Sequence, residues 1–364
     1  MTSVWIYDIL PLAFGPGAYL IQGSKIKIAK PHVPLGSRAP QRLPLAADQR
    51  DPFKSVAQEL ELVEQTLARA IGSREHHLTD IAAHLIDGGG KRVRPLVTLL
   101  AHLALGGKGT QDIIDIATAI ELIHTATLLH DDIIDCADTR RGKVSAYKKY
   151  GLKSTLVAGD FLFIKAFEFA GKFDENIVQW TAEACTLLTE GEILQGYFNR
   201  NAAVTVADYI EIVKRKTASL FQTGCRVGAY FAGASPAIVD ETAGYGLNMG
   251  IAFQIVDDVL DIVGHADLLG KPIGMDLRDG NPSLPIILTL EDPIVREAFE
   301  QSECEETQVA AALEAIKRGP GIQKAKNLSR HYAEAALNSL EKLPPSAHRQ
   351  GLKTLVRLII DRDF

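Results

Sequence analysis

Apolar residues recur every three or four positions along most of this chain of 364 residues. In the segment that begins at Asp51, the spacing of Val56, Leu60, Val63 and Leu67 puts their side chains on one face of a helix. The same period predicts long helices over residues 113–134, 155–169, 180–194, 209–231, 243–263 and 325–343. Alternating patterns typical of β-strands are nearly absent. We therefore predict an all-α fold, built as a single large helical bundle around a central cavity.

The first 50 residues do not follow this pattern. Prolines recur between positions 11 and 44 and would interrupt any long helix there. The apolar stretch over residues 4–21 contains Asp8, two prolines and two glycines, and it lacks the basic region that opens a secretory signal. We predict an irregular N-terminal extension over residues 1–50 and one helical domain over residues 51–364. A membrane-surface contact, a disordered tail and a wrongly chosen start codon stay open for the extension.

Composition and charge exclude several classes of protein. Hydrophobic residues make up 46% of the chain and charged residues 23%, which is globular composition. The formal net charge of -6 argues against a protein that coats nucleic acid, because binding the phosphate backbone needs a dominant cationic face. The four cysteines lie far apart without a C-x-x-C pair, so neither a zinc site nor a disulfide framework is indicated. We expect a cytoplasmic protein.

Two aspartate-rich motifs end apolar helical stretches, D-D-I-I-D at 131–135 and D-D-V-L-D at 257–261. Positions i and i+4 of a helix share a face, so the first and last aspartates of each motif point toward a common site. Close carboxylates need a cation, and oxygen ligands without His or Cys favour Mg²⁺. A single motif of this kind is equally typical of a solvated helix end. Its repetition favours a magnesium site for phosphate-bearing substrates.

Basic clusters accompany the acidic motifs. Residues 88–94 read G-G-G-K-R-V-R, in which glycines let backbone N–H groups approach a phosphate and the cations donate hydrogen bonds to it. The spacing is not that of a Walker A loop. R-R-G follows at 140–142, and K-R-K-T at 214–217 interrupts an apolar helix. Each cluster alone is typical of a solvated surface, whereas together they predict a cavity for two anionic substrates and divalent metal.

In their order and approximate spacing, these motifs resemble those of the trans-isoprenyl diphosphate synthases, and most closely the long-chain polyprenyl members. The resemblance covers residues 51 to the C-terminus and rests on segments 89–95, 124–135, 140–142, 216–217 and 253–261. It implies the isoprenoid synthase fold, with the active site in the central cavity. It also implies a Mg²⁺-dependent prenyltransferase that condenses isopentenyl diphosphate sequentially onto an allylic diphosphate, such as farnesyl or geranylgeranyl diphosphate. The implied product is an all-trans polyprenyl diphosphate, as for quinone side chains.

The resemblance further implies roles for individual residues. The metal ligands would be Asp131, Asp135, Asp257 and Asp261, with three Mg²⁺ ions per site. The catalytic set would be Asp131, Asp132, Asp135, Lys216, Asp257 and Asp258. The allylic diphosphate would be held by Arg140, Lys216 and Lys271, and isopentenyl diphosphate by Lys91, Arg94, His124 and Arg141. Thr217 and Gln254 would border the reacting carbon chain. A homodimer is expected, while a small regulatory subunit and a peripheral membrane contact for product release stay open.

Product length is predicted from Ala126, five residues before the first aspartate. In the family that this chain resembles, an aromatic side chain often blocks the growing product at this position. Alanine leaves the space open, so we expect a product of C30 or longer unless another helix supplies a floor. The alternative is that Ala126 is only a good helix former.

One position departs from the family pattern. Asn281 stands near where a lysine is common, which leaves one diphosphate-binding cation in doubt. Either Arg278 supplies the missing positive charge, or this loop closes less firmly over the substrate.

Three other functions compete with this interpretation. A medium-chain geranylgeranyl or farnesyl diphosphate synthase would share all the motifs. A class I terpene synthase needs no second diphosphate site, so Lys91, Arg94 and His124 argue against it. A non-catalytic subunit is disfavoured because both acidic motifs are complete.

Overall fold

The computed structural model describes residues 52–264 and 273–361, and this part of the chain is predominantly helical. The predictions for the extension over residues 1–50 and for Lys271 lie outside the described residues. The helices of the first half are the 3₁₀ turn Lys54–Val56, α1 (Ala57–Ala70), α2 (His76–Ile86), α3 (Val93–Ala104), α4 (Gln111–Ile134), α5 (Ala146–Tyr150), α6 (Leu152–Ala170) and α7 (Glu175–Phe198).

The second half begins with α8 (Val206–Val213), which continues through a π-helical segment (Lys214–Ala218) into α9 (Ser219–Phe231). The helices that follow are α10 (Pro236–Val263), α11 (Met275–Asp279), α12 (Leu284–Ile287), α13 (Pro293–Glu300), α14 (Glu306–Arg318), α15 (Gly321–Leu340) and α16 (Ala347–Ile360). The predicted all-α class is confirmed. The single helix predicted over 209–231 is wrong in detail, because the π-helical segment takes up an extra residue in its turn.

Two long helices form the centre of the bundle. α4 packs against α1, α3, α6 and α9, and α10 packs against α9, α15, α16 and the π-helical segment. α4 is apolar around most of its circumference, with Ile113, Ile120, Leu122 and Leu129 fully buried or nearly so. By length and composition α4 could cross a membrane, but most of its apolar stretch is buried inside the protein. It is therefore a core helix of the bundle.

A short hairpin follows α4. Strands β1 (Thr139–Arg140) and β2 (Lys143–Val144) pair antiparallel, with Thr139 opposite Val144. Arg141 and Gly142 form the turn, and both have positive φ angles. The hairpin thereby carries the R-R-G motif back toward the end of α4.

Arg92 anchors the glycine-rich loop to the bundle. It lies just before α3 with a φ of 46°, and its buried guanidinium group pairs with Glu64 of α1 at 2.5 Å and with Glu121 of α4 at 3.1 Å. It also donates to the carbonyl of Ile86 at 3.2 Å. Burial opposes its charge, but the two carboxylates outweigh this effect and raise the pKa of Arg92. Arg92, the middle cation of the basic motif, therefore stabilises the fold by joining the glycine-rich loop to α1 and α4.

Candidate active site

One aspartate of each acidic motif lines a cavity of about 200 Å³, whereas Asp131, Asp257 and Asp261 are not among the lining residues. Asp135, at the end of α4, and Asp258, on α10, both line it, as do Lys216 and Thr217 of the π-helical segment. The other lining residues come from α7, α8, α10, α11 and the loop after α11: Gln195, Tyr209, Ile212, Val213, Gln254, Asp276, Asn281, Pro282 and Ser283. Motifs that are far apart in the sequence are therefore brought together at one place.

The first acidic motif is partly buried and faces a lysine. Lys216 Nζ lies 4.0 Å from Asp131 Oδ1 and forms a closer ion pair with Glu192 of α7. Burial raises the pKa of Asp131 to about 6, while Lys216 opposes this shift and Glu192 and Asp135 add to it. Burial also raises the pKa of Asp135. These carboxylates therefore carry negative charge at a cost that a bound cation would remove.

Asp132 has different surroundings from its neighbour Asp131. Its side chain is fully buried, and Arg140 Nε donates to Asp132 Oδ1 at 2.7 Å. Asp132 Oδ2 is buried with no hydrogen-bond partner among the described residues. Because Arg140 belongs to β1, this ion pair fixes the hairpin against the end of α4. In this structure Arg140 is therefore held by the protein itself.

Asp258 of the second motif accepts hydrogen bonds from three segments. Tyr209 Oη of α8 donates to Asp258 Oδ2 at 2.7 Å, and the backbone N–H of Leu284 donates to the same atom at 3.2 Å. Gln254 Nε2 donates to Asp258 Oδ1 at 2.9 Å, and Thr217 Oγ1 donates to Gln254 Oε1 at 2.9 Å. Burial nevertheless raises the pKa of Asp258 to about 6. Asp258 thus joins α8, α10, α12 and the π-helical segment.

The other two aspartates of this motif are placed differently. Asp261 is buried and accepts a hydrogen bond at 3.1 Å from the backbone N–H of Asp276, in the first turn of α11. Asp257 is half-buried, and its negative charge acts on Arg94. α11 is therefore bound to α10 next to the cavity.

Asn281 lies in the cavity wall where the family pattern has a lysine. Its Oδ1 accepts a hydrogen bond from Gln195 Nε2 at 3.2 Å. Arg278 forms a two-point pair with Glu306, at 2.6 and 2.7 Å, and is not among the cavity-lining residues. The structure therefore gives no support to Arg278 as a replacement for the lysine.

The cations of the predicted second diphosphate site gather around His124 of α4. Burial lowers the pKa of His124 well below its usual value, and the positive charges of Arg94, Arg141, Arg92 and Arg140 add to this shift. Burial lowers the pKa of Arg94 to about 10 and also lowers that of Arg141. The Nε of Arg94 is buried with no hydrogen-bond partner in the described part of the chain. Glu121 acts on both Arg94 and Arg141 but does not offset the effect of their burial, so an added anion would stabilise their charged forms.

The contacts of the cationic side chains fix their positions. The guanidinium carbon of Arg94 lies 4.6 Å from the ring centroid of Phe221, a cation–π contact. Arg141 donates to the carbonyl of Gly89, which joins the hairpin to the glycine-rich loop. Lys91 is exposed in that loop. The two basic motifs therefore form one surface.

Ala126 is fully buried in the main core, together with Ala158 and Leu162 of α6. It does not line the cavity. The predicted route of the growing product past Ala126 therefore stays a prediction.

The donor set fits Mg²⁺. Asp131 and Asp135, whose pKa is raised by burial, are oxygen ligands whose negative charge a bound cation would stabilise. Within residues 52–264 and 273–361, no three His, Cys, Asp or Glu side chains form a closed ligand group. Mg²⁺ does not require one, since it usually binds one or two carboxylates together with waters and substrate phosphates.

Sequence reasoning missed two residues of this site. Glu192 pairs with Lys216, and Tyr209 binds Asp258, although neither belongs to a motif. Both lie at ordinary positions of amphipathic helices, so the helical period alone gives no signal for them.

The described residues thus form a predominantly helical bundle with a cavity that is lined by the carboxylates of Asp135, Asp258 and Asp276 and by the ammonium group of Lys216. The model of the polyprenyl synthetase family matches residues 75–316. The chain belongs to the polyprenyl synthetase family, as the motifs predicted.

Three relatives each match 84–86% of this chain. A prenyl transferase of Porphyra purpurea is 37% identical over 316 residues, 85% of this chain and 97% of that protein. A heptaprenyl diphosphate synthase component 2 of Geobacillus stearothermophilus is 36% identical, covering 86% of this chain and 98% of the relative. An octaprenyl diphosphate synthase of Haemophilus influenzae is 33% identical, covering 84% and 94%.

Solved structures share the fold. A polyprenyl synthase from Caulobacter crescentus, in complex with calcium and isoprenyl diphosphate, has a TM-score of 0.82 and 33% identity, covering 85% of this chain and 97% of its own. A geranylgeranyl pyrophosphate synthetase from Pyrococcus horikoshii has a TM-score of 0.80 and 31% identity, covering 86% and 98%. The predicted isoprenoid synthase fold is confirmed, and it is shared by enzymes named for different products.

Proposed function

We propose that this protein is a Mg²⁺-dependent trans-polyprenyl diphosphate synthase with a product of C30 or longer. The observation that carries the proposal is that one aspartate of each acidic motif lines the same cavity as Lys216 and Thr217. The names of the octaprenyl and heptaprenyl relatives support a long-chain product. Substrates of this family are prenyl diphosphates, so the proposed co-substrates are isopentenyl diphosphate and an allylic primer such as farnesyl or geranylgeranyl diphosphate.

The acidic side of the cavity is proposed to bind the allylic diphosphate through metal. Asp131, Asp135, Asp257 and Asp261 would hold Mg²⁺, three ions per site in this proposal. Bound Mg²⁺ would stabilise the charge of the departing diphosphate as a Lewis acid.

Side chains of the protein hold the same group in this proposal. Lys216 donates to the diphosphate oxygens, and Arg140 and Lys271 are assigned the same role. Asp132 and Asp258 keep their neighbours in position through Arg140 and Gln254.

The basic cluster around His124, which is not part of the cavity lining, is proposed to bind isopentenyl diphosphate through Lys91, Arg94, His124 and Arg141. A pKa of about 10 leaves Arg94 charged at neutral pH. His124 stays neutral there because its pKa is lowered, so it takes part as a hydrogen-bond partner rather than as a cation. The guanidinium groups supply the charge that attracts the diphosphate.

The reaction joins the two sides. Ionisation of the allylic C–O bond leaves a carbocation, which the double bond of isopentenyl diphosphate attacks when both are held at contact distance. Thr217 and Gln254 border the reacting carbons in this proposal, and their mutual hydrogen bond orients both side chains. Apolar helix walls exclude water from the cation. Loss of a proton to the released diphosphate completes each cycle.

The test is prenyl transfer by the purified full chain. Labelled isopentenyl diphosphate, an allylic primer and Mg²⁺ are incubated, and the dephosphorylated products are separated by chromatography. We expect labelled products of C30 or longer. Products no longer than C20 would support a medium-chain synthase, and a hydrocarbon without label would support a terpene synthase.

A homodimer is proposed from an exposed apolar face on α6. Leu152, Leu156, Val157, Ile164 and Phe167 are each between 38% and 59% exposed, and at 100° per residue they lie on one side of the helix, around the exposed Lys153 and Asp160. Such a face is typical of an interface, and a second copy of this chain is the proposed occupant. Light scattering after size-exclusion chromatography tests this assignment: Ile164→Glu should give monomers, whereas Ile294→Glu, at an equally exposed position on α13, should not.

The wider assignments are also proposals. The catalytic unit is proposed to span residues 51–364 and to work in the cytoplasm, with membrane contact limited to product release. The name of the Geobacillus relative, component 2, suggests a heteromeric arrangement for that enzyme. Full activity of the purified chain alone would show that this protein needs no such subunit.

A further inference from the structure

Lys216 lies among three carboxylates from two helices. Glu192 of α7, which belongs to no acidic motif, forms the closest ion pair with its ammonium group. Asp131 Oδ1 is 4.0 Å from Lys216 Nζ, and the charge of Asp135 also acts on the lysine. The side chains of Lys216, Asp131 and Glu192 are only 21–25% exposed, so water screens these interactions weakly. The ammonium group of Lys216 therefore has its nearest partner, Glu192, outside the acidic motif, while Asp131 of the motif lies at the outer limit of an ion pair.

The backbone of Lys216 is placed by close packing of the π-helical segment against α7. A Cβ atom added to Gly191 would lie 2.6 Å from the backbone nitrogen of Lys216 and 2.9 Å from Cβ of Arg215. Only glycine permits this approach, since a Cβ atom would collide with backbone. π-helical turns are rare and occur frequently at functional sites. Gly191 therefore places the backbone of Lys216, and the adjacent Glu192 places its side chain.

The position of this ammonium group decides which carboxylate oxygens are open to metal. If the Glu192 carboxylate were neutral, the anions left near Lys216 would be Asp131 and Asp135. A lysine that donated to Asp131 would occupy an oxygen that Mg²⁺ requires, and it would be withdrawn from the cavity.

We propose that Glu192 is a positioning residue that holds the Lys216 ammonium group away from Asp131, so that the first acidic motif keeps its oxygens for Mg²⁺. The inference rests on the proposed function for the presence of a Mg²⁺–diphosphate ligand. Residues that orient a metal site from outside its ligand set typically change metal affinity by about ten- to a hundredfold. Glu192 acts through Lys216 and does not itself touch the metal.

The experiment measures binding of Mg²⁺ with inorganic pyrophosphate by isothermal titration calorimetry on the full chain. Glu192→Gln should weaken binding about tenfold or more. Glu190→Gln is the matched control, because Glu190 lies on the same helix and pairs with Arg215 at 3.4 Å instead. It should bind as the unmodified protein does. In the Lys216→Gln background, Glu192→Gln should cause no further loss, since the two act as one unit.

The outcomes separate this inference from the proposed function. If Glu192→Gln binds Mg²⁺ and pyrophosphate as tightly as the unmodified protein or more tightly, the inference is overturned. It is also overturned if Glu192→Gln weakens binding in the Lys216→Gln background, because Glu192 would then act on the metal directly. Prenyl transfer by the unmodified chain is measured in parallel and tests the proposed function alone. Where transfer occurs, Glu192→Gln should raise the Mg²⁺ concentration for half-maximal rate and leave the KM for isopentenyl diphosphate unchanged.

A second pair of variants tests the backbone contact. Gly191→Ala should weaken binding of Mg²⁺ and pyrophosphate at least as much as Glu192→Gln does, because it displaces the π-helical segment. Gly196→Ala is the control on the same helix, since a Cβ atom there meets nothing within 4 Å. This control should bind normally and be slightly more stable, as alanine favours helix over glycine. Normal binding by a folded Gly191→Ala variant would overturn the role assigned to this contact.

Discussion

Tyr209→Phe should destabilise the protein more at pH 8 than at pH 5. The phenol is buried, and its hydroxyl donates to Asp258 Oδ2 at 2.7 Å. Phenylalanine fills the same space, so the substitution removes a hydrogen bond without opening a cavity. A bond to an ionised carboxylate contributes about 1.5–3 kcal/mol, and a bond between neutral groups about 0.5–1.5 kcal/mol. Which value applies depends on the charge of Asp258.

Burial raises the pKa of Asp258 to about 6, against a value near 4 in the unfolded chain. The folded protein therefore holds this proton more tightly, and the free energy of unfolding contributed by Asp258 falls as pH rises through that window. The hydrogen bond from Tyr209 lowers the pKa of Asp258 and so limits the decrease in unfolding free energy as pH rises. Without this bond the pKa of Asp258 rises further, and the unfolding free energy decreases more between pH 5 and pH 8. The loss in Tyr209→Phe should thus be about 0.5–1.5 kcal/mol at pH 5 and about 1.5–3 kcal/mol at pH 8.

Tyr245→Phe is the matched control. Tyr245 is also fully buried, but its hydroxyl donates to the neutral carbonyl of Leu352 at 3.0 Å. Urea denaturation at both pH values, with a chelator present to remove metal, gives the two differences in unfolding free energy. The control should lose about 0.5–1.5 kcal/mol at either pH. An equal loss in Tyr209→Phe at both pH values, or a pH-dependent loss in the control, would refute the reasoning.

Three further substitutions test other parts of the structure. Asp131→Ala should lower prenyl transfer by several orders of magnitude without lowering the unfolding free energy, because it removes a proposed metal ligand whose charge is costly to bury; normal turnover would end that assignment. Ala126→Phe should shorten the product seen by chromatography and cost about 1–3 kcal/mol through overpacking; an unchanged length would place the floor elsewhere. Arg92→Met should cost about 3–5 kcal/mol in urea denaturation because it leaves Glu121 buried and unpaired, whereas Lys165→Met, at a surface pair, should cost under about 1 kcal/mol.

The helices were predictable from the sequence because the spacing that indicates them, apolar residues three or four positions apart, lies within each helix itself. The period that predicted residues 113–134 corresponds to α4 at Gln111–Ile134, and the all-round apolar character of that segment predicted its central place. The π-helical segment was not predictable in this way. Its extra residue is accommodated by packing against Gly191, a contact between distant parts of the chain.

The candidate site was predictable only as far as its motifs. The acidic motifs share a cavity, but the partner of each charge depends on tertiary packing. Arg92 and Arg94 are two residues apart in one motif, yet Arg92 is bound by two glutamates while Arg94 lies over an aromatic ring. Glu192 is one of many glutamates on helix surfaces, and nothing in its neighbourhood along the sequence distinguishes it. Only the fold shows that it faces Lys216.

The protein offsets the cost of burial only in part for four charged groups of the site, Asp131, Asp135, Arg94 and Arg141. Burial raises the pKa of Asp131 and Asp135 and lowers that of Arg94 and Arg141, so it favours the neutral form of both the carboxylates and the guanidinium groups. Ion pairs between the carboxylates and the cations of the site would offset this effect, but they would also occupy the groups that must bind substrate. Such pairing is limited to Arg140 with Asp132 and to a long contact between Lys216 and Asp131, since Glu192 is the nearer partner of Lys216. A metal–diphosphate ligand carries both signs of charge and can satisfy both sets together, which is why this arrangement favours binding over self-neutralisation.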